Sequence, residues 1–414
     1  MAYLSNLQCV SCQKHFRPDE IDYTCPDCGP LRGTLEVAYD YKAVQKVLTR
    51  ESLAKDKNPT HWRYLPILPI VKKEFIPSLS AGWTPIYRNQ ALAKEFELEA
   101  LWIKDDSRNP TASLKDRASA VAVVKALEKG ATTVTAASSG NAAASWAAFT
   151  ALANLKTIIF VPEATPRAKL AQLLLYNAQV VQVRGTYDEA FDLCCQAAEK
   201  WGWYNRSTAI NPYLGEGKKT APLEICEQLC WNVPDYVFVS VGDGCIFQGM
   251  WKGFRDFHRL GLIDRLPKMI GVQAEGSAPL VKAYQKNAEL VEPIVPKTIA
   301  DSIAVGVPRD QVKALRAVRE SGGQFIAVSD AEIISAIAAL AQSSGIMAEP
   351  AGAVAMAGLR KMVQNNRSLS RSEVVVMVTG HGLKDIDGVM QAVSRTPVVV
   401  GNSIGEVEAR LGLA

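Results

Sequence analysis

From Trp83-Thr84-Pro85 onward the chain alternates short apolar or β-branched runs with longer helix-patterned segments. Strand-like runs fall at 132–137, 157–161, 179–183, 236–241, 268–273 and 374–379. Helical patterns fall at about 116–129, from 141, at 187–200, from about 247, at 331–342 and at 350–363, and Pro166 stands where a first helical turn begins. The strand-like runs are continuously apolar rather than alternating, as in strands covered on both faces. Strand–helix alternation of this kind predicts an α/β body with a mostly parallel sheet between layers of helices. In such sheets ligands bind beyond the carboxyl ends of the strands, so motifs at those ends carry the most weight.

Ahead of this body lie Cys9-x2-Cys12 and, twelve residues later, Cys25-x2-Cys28. Each pair can grip one metal ion from a tight turn, and four thiolates suit a closed tetrahedral zinc site. A closed site has no open position for water, so the expected role is structural. Residues 1–35 lack a clustered basic patch, which argues against a nucleic-acid-binding ribbon. The whole chain of 414 residues has 46 basic and 42 acidic side chains, a net +4. That balance gives no reason to expect a nucleic-acid or membrane-surface partner. No run of about 18 apolar residues is present, so no membrane span is expected. The nine cysteines are odd in number and include the adjacent Cys194 and Cys195, a poor disulfide framework. With no secretory signal in MAYLSNLQCVSC, the expected location is the cytoplasm. Residues 40–83, punctuated by Pro59, Pro66, Pro69 and Pro77, read as linker and short helices.

Four segments of the body suggest chemistry. Lys115 lies between the polar turn Asn109-Pro110-Thr111-Ala112-Ser113 and a helix. A helix N-terminus disfavours a cation, which favours the neutral amine that a Schiff-base lysine requires. Ser138-Ser139-Gly140-Asn141 follows a strand and opens a helix, where free amides suit a carboxylate or phosphate, although either serine could be only an N-cap. Gly242-Asp243-Gly244-Cys245-Ile246 repeats that geometry as a phosphate cradle. It is neither a Walker loop nor a dinucleotide fingerprint, because Phe247 stands where the third glycine belongs. Thr379-Gly380-His381-Gly382-Leu383-Lys384-Asp385 closes the last strand, with a hydroxyl suited to a pyridine nitrogen; His381, between glycines, reads as structural more readily than as an acid/base.

In this order the segments resemble the fold-type II pyridoxal-phosphate enzymes, the tryptophan synthase β-like group, and within it the threonine synthase family. Lys104-Asp105 with Asn109-Pro110-Thr111-x-Ser113-x-Lys115-Asp116-Arg117 is similar to that family's cofactor-lysine segment. Ser138-Ser139-Gly140-Asn141 is similar to its asparagine loop, Glu216-Gly217-Lys218-Lys219-Thr220-Ala221 to its Glu-Gly-x-Lys-Thr-Ala segment, and Thr379 to Asp385 to its closing motif. One branch of the family also carries an N-terminal cysteine ribbon before a segment like Leu35-Glu36-Val37-x-Tyr39-Asp40. The likeness runs from about residue 7 to 390. Two departures stand out: the usual Gly-Ser-Phe-Lys is here Ala112-Ser113-Leu114-Lys115, and the cradle carries Asp243 and Cys245 where Asn or small residues are common. An anionic Asp243 beside a phosphate is unfavourable unless its side chain turns away.

The resemblance implies two three-layer α/β lobes behind a zinc-ribbon-like extension: residues 1–40 for the extension, 41–110 with 206–400 for a large cofactor lobe, 111–205 for a smaller mobile lobe, and 401–414 for a tail. It implies pyridoxal 5'-phosphate bound covalently to Lys115, which also serves as general base and acid. The cofactor phosphate would sit on Gly242, Asp243, Gly244, Cys245 and Ile246, its phenolic oxygen near Asn141, and its ring nitrogen on Thr379. Ser138 and Ser139 would hold the substrate carboxylate, with Lys104, Lys218 and Thr220 as partners for a substrate phosphate and Arg167 and Lys169 as weaker candidates. Cys9, Cys12, Cys25 and Cys28 would hold zinc. The implied activity is that of a phosphate-eliminating lyase acting on O-phospho-L-homoserine, with γ-elimination followed by addition of water at Cβ to give threonine, in a homodimer. A threonine or serine dehydratase and a cysteate or cysteine synthase relative share most of these cofactor residues, and a non-catalytic ribbon protein on a degenerate enzyme body is the alternative from another class.

Overall fold

The computed structural model describes residues 3–365 and 369–413. Three sheets organise them. An N-terminal antiparallel sheet has the order β2-β1-β3, formed by β1 (Leu4–Cys9), β2 (His15–Phe16) and β3 (Leu35–Tyr39). The largest sheet uses β4 (Ile86–Arg88), β5 (Ala100–Asp105), β10 (Tyr236–Ser240), β11 (Lys268–Ala274), β12 (Gln324–Val328) and β13 (Glu373–Val378), in the order β12-β11-β10-β13-β5-β4. Only the edge strand β4 runs antiparallel. A four-stranded parallel sheet has the order β8-β7-β6-β9, from β6 (Thr133–Ala137), β7 (Lys156–Pro162), β8 (Gln179–Val183) and β9 (Tyr204–Asn205).

The apolar runs bury both faces of the large sheet. Successive side chains of a strand point to opposite faces. Val237, Val239, Val375 and Met377 accordingly join one core with Phe247, Phe254 and Leu315 from the helices Cys245–Arg259 and Gln311–Glu320. Phe238, Val374, Val376 and Val378 join a second core with Ile333, Ala353, Val354 and Leu359 from Asp330–Ser344 and Pro350–Asn365. The parallel three-layer architecture expected from the alternation is present.

The sequence pattern missed β4, β5, β9 and β12. Pro166 takes the N-cap position, and its helix, Arg167–Leu175, starts one residue later. Residues 40–83 form short helices as expected, Tyr41–Gln45 and Arg50–Lys55, with two 3-10 turns. Trp62, Tyr64, Ile67 and Leu68 from this stretch are buried in the same core as Phe254. Prolines interrupt helices here without preventing burial. No helix of the described residues is long and apolar enough to cross a membrane.

Candidate active site

Strand β5 delivers the chain through a 3-10 turn, Asp106–Arg108, to the segment before Lys115, the first residue of the helix Lys115–Glu128. This segment docks on the end of β13. Leu114 N donates to Thr379 O at 2.9 Å, His381 N donates to Ala112 O at 3.0 Å, and Ser113 pairs with Gly380. Lys115 and Thr379 are thereby fixed relative to each other through backbone bonds. Ala112 has φ +62°, the left-handed region that favours the glycine more usual in the family. Thr111 is held in turn by Asp116, which accepts from its amide at 2.6 Å, and Lys384 Nζ donates to Thr111 O at 3.0 Å.

Behind the segment lies a fully buried ion cluster. Arg117 bridges Asp106 and Glu224, and Lys104 Nζ donates to Glu224 at 2.7 Å, to Thr84 O at 2.7 Å and to Gln228 at 2.9 Å. Thr220 also belongs to this cluster, donating to Gly217 O at 2.6 Å and accepting from Arg117 at 2.9 Å. An ammonium has three donors, and those of Lys104 are all used in holding the scaffold. Burial opposes ionisation of Glu224, but Arg117 and Lys104 outweigh it and hold the carboxyl at about 2.

Around Lys115 the balance is different. Burial, Lys218 and Arg206 push its amine down to about 8, against the opposing pull of Glu349 and Asp243. Glu349, beside Lys115, accepts from Asn141 Nδ2 at 2.7 Å. Burial raises its carboxyl to about 7, opposed by Lys115 and Lys384. Gly380 makes room for it: a Cβ there would lie 2.2 Å from Glu349 Oε1. Lys218 and Arg206 are themselves buried, and among the described residues neither lies within ion-pair distance of a carboxylate. Arg206 donates only weakly to Ser119, at 3.3 Å, and its Nε has no partner. Burial lowers its guanidinium to about 10. Two buried cations beside a buried amine, neither ion-paired with a carboxylate, are costly unless an anion joins them. Sequence reasoning named Lys218 but missed Arg206 and Glu349.

The loop after β10 is built for close approach. Gly244 has φ +88° and caps the 15-residue helix Cys245–Arg259, and a Cβ there would meet Ala314 Cβ at 2.8 Å. Gln248 N, bonded to Gly244 O at 3.0 Å, is the first amide tied back into the turn. The amides of Gly244, Cys245 and Ile246 precede it and belong to the set a helix start leaves unsatisfied. Asp243 Oδ1 accepts from Arg309 N at 3.2 Å, the turning away that a phosphate-bearing loop requires. Gly249, beside the cradle, serves packing: a Cβ there would lie 3.0 Å from Gly215 O and 3.1 Å from Lys218 Cβ.

At the second loop Gly140 is the N-cap of Asn141–Leu152 and no side chain caps it. Ser138 Oγ accepts from Gly140 N at 3.2 Å, so neither serine is spent as the cap. His381 caps the turn Gly382–Lys384, its Nδ1 accepting from Leu383 N at 3.1 Å. Lys169 is paired with Asp301.

The four ribbon cysteines bring their Sγ atoms within 4.8 Å of one another, with Cys12 and Cys25 at 3.8 Å. A tetrahedron with metal–sulfur bonds of about 2.3 Å has sulfur–sulfur edges of about 3.8 Å, so the set fits a metal ion. The Lys115 amine, the cradle and the Thr379 hydroxyl fit a phosphorylated pyridine aldehyde: a nucleophile, an anion site and a neutral partner for the ring nitrogen.

That combination defines a pyridoxal-phosphate-dependent enzyme of fold type II. The family model "Pyridoxal-phosphate dependent enzyme" matches residues 77–380. The chain is 42% identical to threonine synthase of Methanocaldococcus jannaschii over 95% of this chain and 96% of that protein, and 40% identical to threonine synthase of Methanosarcina acetivorans over 99% of each. It is 37% identical to threonine synthase of Halalkalibacterium halodurans over 83% of this chain and 96% of that one. The fold is also similar to a fungal L-serine ammonia-lyase from Rhizomucor miehei, with a TM-score of 0.65 at 19% identity over 75% of this chain and 96% of that one. The chain belongs to the threonine synthase family of pyridoxal-phosphate-dependent enzymes.

Proposed function

We propose that this chain converts O-phospho-L-homoserine and water to L-threonine and inorganic phosphate. The observation that carries this reading is the pair of buried cations, Arg206 and Lys218, beside Lys115 and without carboxylate partners, which suits a second phosphate in addition to the one the cradle serves. Pyridoxal phosphate, when bound, supplies an electron sink for negative charge at the substrate Cα. Lys115 would hold it, with Gly242, Asp243, Gly244, Cys245 and Ile246 serving its phosphate, Asn141 its phenolic oxygen and Thr379 its ring nitrogen. A neutral hydroxyl there suits elimination and replacement chemistry. Ser138 and Ser139 bind the substrate carboxylate.

The free Lys115 amine would take the proton from the substrate Cα and return protons along the substrate chain, because its low proton affinity leaves it able to do both near neutral pH. Glu349, oriented by Asn141, acts on that amine through its charge and so helps set its proton affinity. Arg206 and Lys218 bind the substrate phosphate and stabilise it as it leaves. Lys104 and Thr220 support this arrangement from the buried ion cluster. The four cysteines hold zinc as a structural ion, and the enzyme works as a cytoplasmic homodimer with a smaller lobe, residues 111–205, closing over the substrate.

Phosphate release from O-phosphohomoserine, with amino-acid analysis of the product, tests the reading. Threonine and phosphate in equal amounts, both abolished by Lys115→Ala, are expected. Turnover of serine or threonine with no reaction of the phosphorylated substrate would refute it.

A further inference from the structure

The four-cysteine extension does not stand apart from the site. Tyr23, between the two cysteine pairs, accepts at its hydroxyl from Asn205 N at 2.7 Å. Asn205 ends β9, and the next residue is Arg206. A cavity of about 1350 Å³ separates the extension from the four-stranded sheet here, and Tyr23 bridges it together with the ion pair between Asp22 and Lys129. Asn205 is braced on its other sides as well: Asn211 Nδ2 donates to its carbonyl at 3.1 Å, and its Oδ1 accepts from Ser207 N at 2.8 Å.

Tyr39, at the end of β3, reaches the short helix that carries the other cation. Its hydroxyl donates to Glu216 Oε2 at 2.6 Å, where Lys219 also donates at 2.6 Å, and Lys252 reaches Oε1 at 3.1 Å. Lys219 Nζ sits 4.1 Å from the centre of the Tyr39 ring. Glu216 and Lys218 share the short helix Leu214–Lys218. Residues two apart on a helix point about 200° apart, so clamping Glu216 on the extension side turns Lys218 to the opposite side. That helix has no slack against its neighbour, since a Cβ on Gly217 would lie 2.0 Å from Arg117 O.

We propose that Tyr23 and Tyr39 of the four-cysteine extension are positioning residues for substrate phosphate, acting through Asn205 on Arg206 and through Glu216 on Lys218. This rests on the assignment of Arg206 and Lys218 to the phosphate. The extension thus shapes recognition of the leaving group while the lysine–cofactor attachment, on the β5 and β13 side, is independent of it.

The test uses cofactor-loaded, full-length protein with Tyr23→Phe, Tyr39→Phe and Arg206→Gln. Affinity for inorganic phosphate is measured by calorimetry, alongside KM and kcat for O-phosphohomoserine, the absorbance of bound cofactor and thermal unfolding. Each tyrosine variant is expected to weaken phosphate binding and raise KM by about three- to tenfold, with kcat and cofactor absorbance within about twofold of the unsubstituted enzyme. Phosphate binding lost in Arg206→Gln but intact in both tyrosine variants would overturn the inference alone. So would a fall in kcat and cofactor absorbance that tracks lost thermal stability with KM unmoved. No phosphate binding by the unsubstituted enzyme, or none lost in Arg206→Gln, would overturn the phosphate assignment and this inference with it.

Discussion

At Lys115 the burial of the side chain and the charges of Lys218 and Arg206 act in one direction, and Glu349 and Asp243 act in the other. The net result is an amine whose neutral fraction at pH 7 exceeds that of an ordinary lysine by on the order of a hundredfold. Capture of added pyridoxal phosphate by cofactor-free protein should therefore speed up by about fivefold between pH 7 and 8 and level off above about pH 9. A rate still climbing at pH 10 would mean an unperturbed lysine. Arg206→Gln should raise KM for O-phosphohomoserine by about tenfold or more, the scale of one lost charge-assisted bond, with a smaller change in kcat. The lysine, asparagine and threonine segments are legible in sequence because each is a local strand-end motif. Glu349 is not, since its partner Asn141 is 208 residues away and its only local mark is its place before Pro350. Arg206 escapes notice because an isolated arginine after a two-residue strand looks like surface.

Between residue and molecule, the stiff part of the site is the ion cluster of Arg117, Asp106, Glu224 and Lys104, which ties the 3-10 turn after β5 to the helices Lys115–Glu128 and Thr220–Gln228. Removing one member strands the others. Glu224→Gln should destabilise the fold by about 3–5 kcal/mol, read by denaturant unfolding. The Glu224 carboxyl is depressed in the folded state, so its contribution is complete above its unfolded value of about 4.3 and is lost as pH falls toward about 2. Stability of the unsubstituted protein should drop across that acid window, and the drop should be smaller in Glu224→Gln. The cluster also explains what sequence could not rank: Lys104 and Thr220 carry family motif positions but spend their donors on scaffold. Strand β5, Ala100–Asp105, went unseen because Lys104 and Asp105 end it as buried charges.

At the scale of the whole molecule, Cys9, Cys25, Leu35 and Val37 of the extension belong to the same buried cluster as Tyr213 and Leu214, next to Lys218. Cys25→Ser should consequently lower the unfolding temperature of the entire protein by at least about 2 °C, in a single transition; a separate early transition for the extension would show that it is only appended. The cysteine spacing made the four-thiol cluster legible, and the strand–helix alternation made the parallel architecture legible. The bond from Tyr23 to Asn205 and that from Tyr39 to Glu216 join residues 182 and 177 apart, and nothing in their local sequence announces them. Loss of phosphate through cleavage of the carbon–oxygen bond, followed by hydration at Cβ, is the central chemical claim. Turnover of O-phosphohomoserine in water enriched in oxygen-18 tests it most directly. One labelled oxygen is expected in threonine and none in the released phosphate; labelled phosphate with homoserine as the product would show cleavage of the phosphorus–oxygen bond instead.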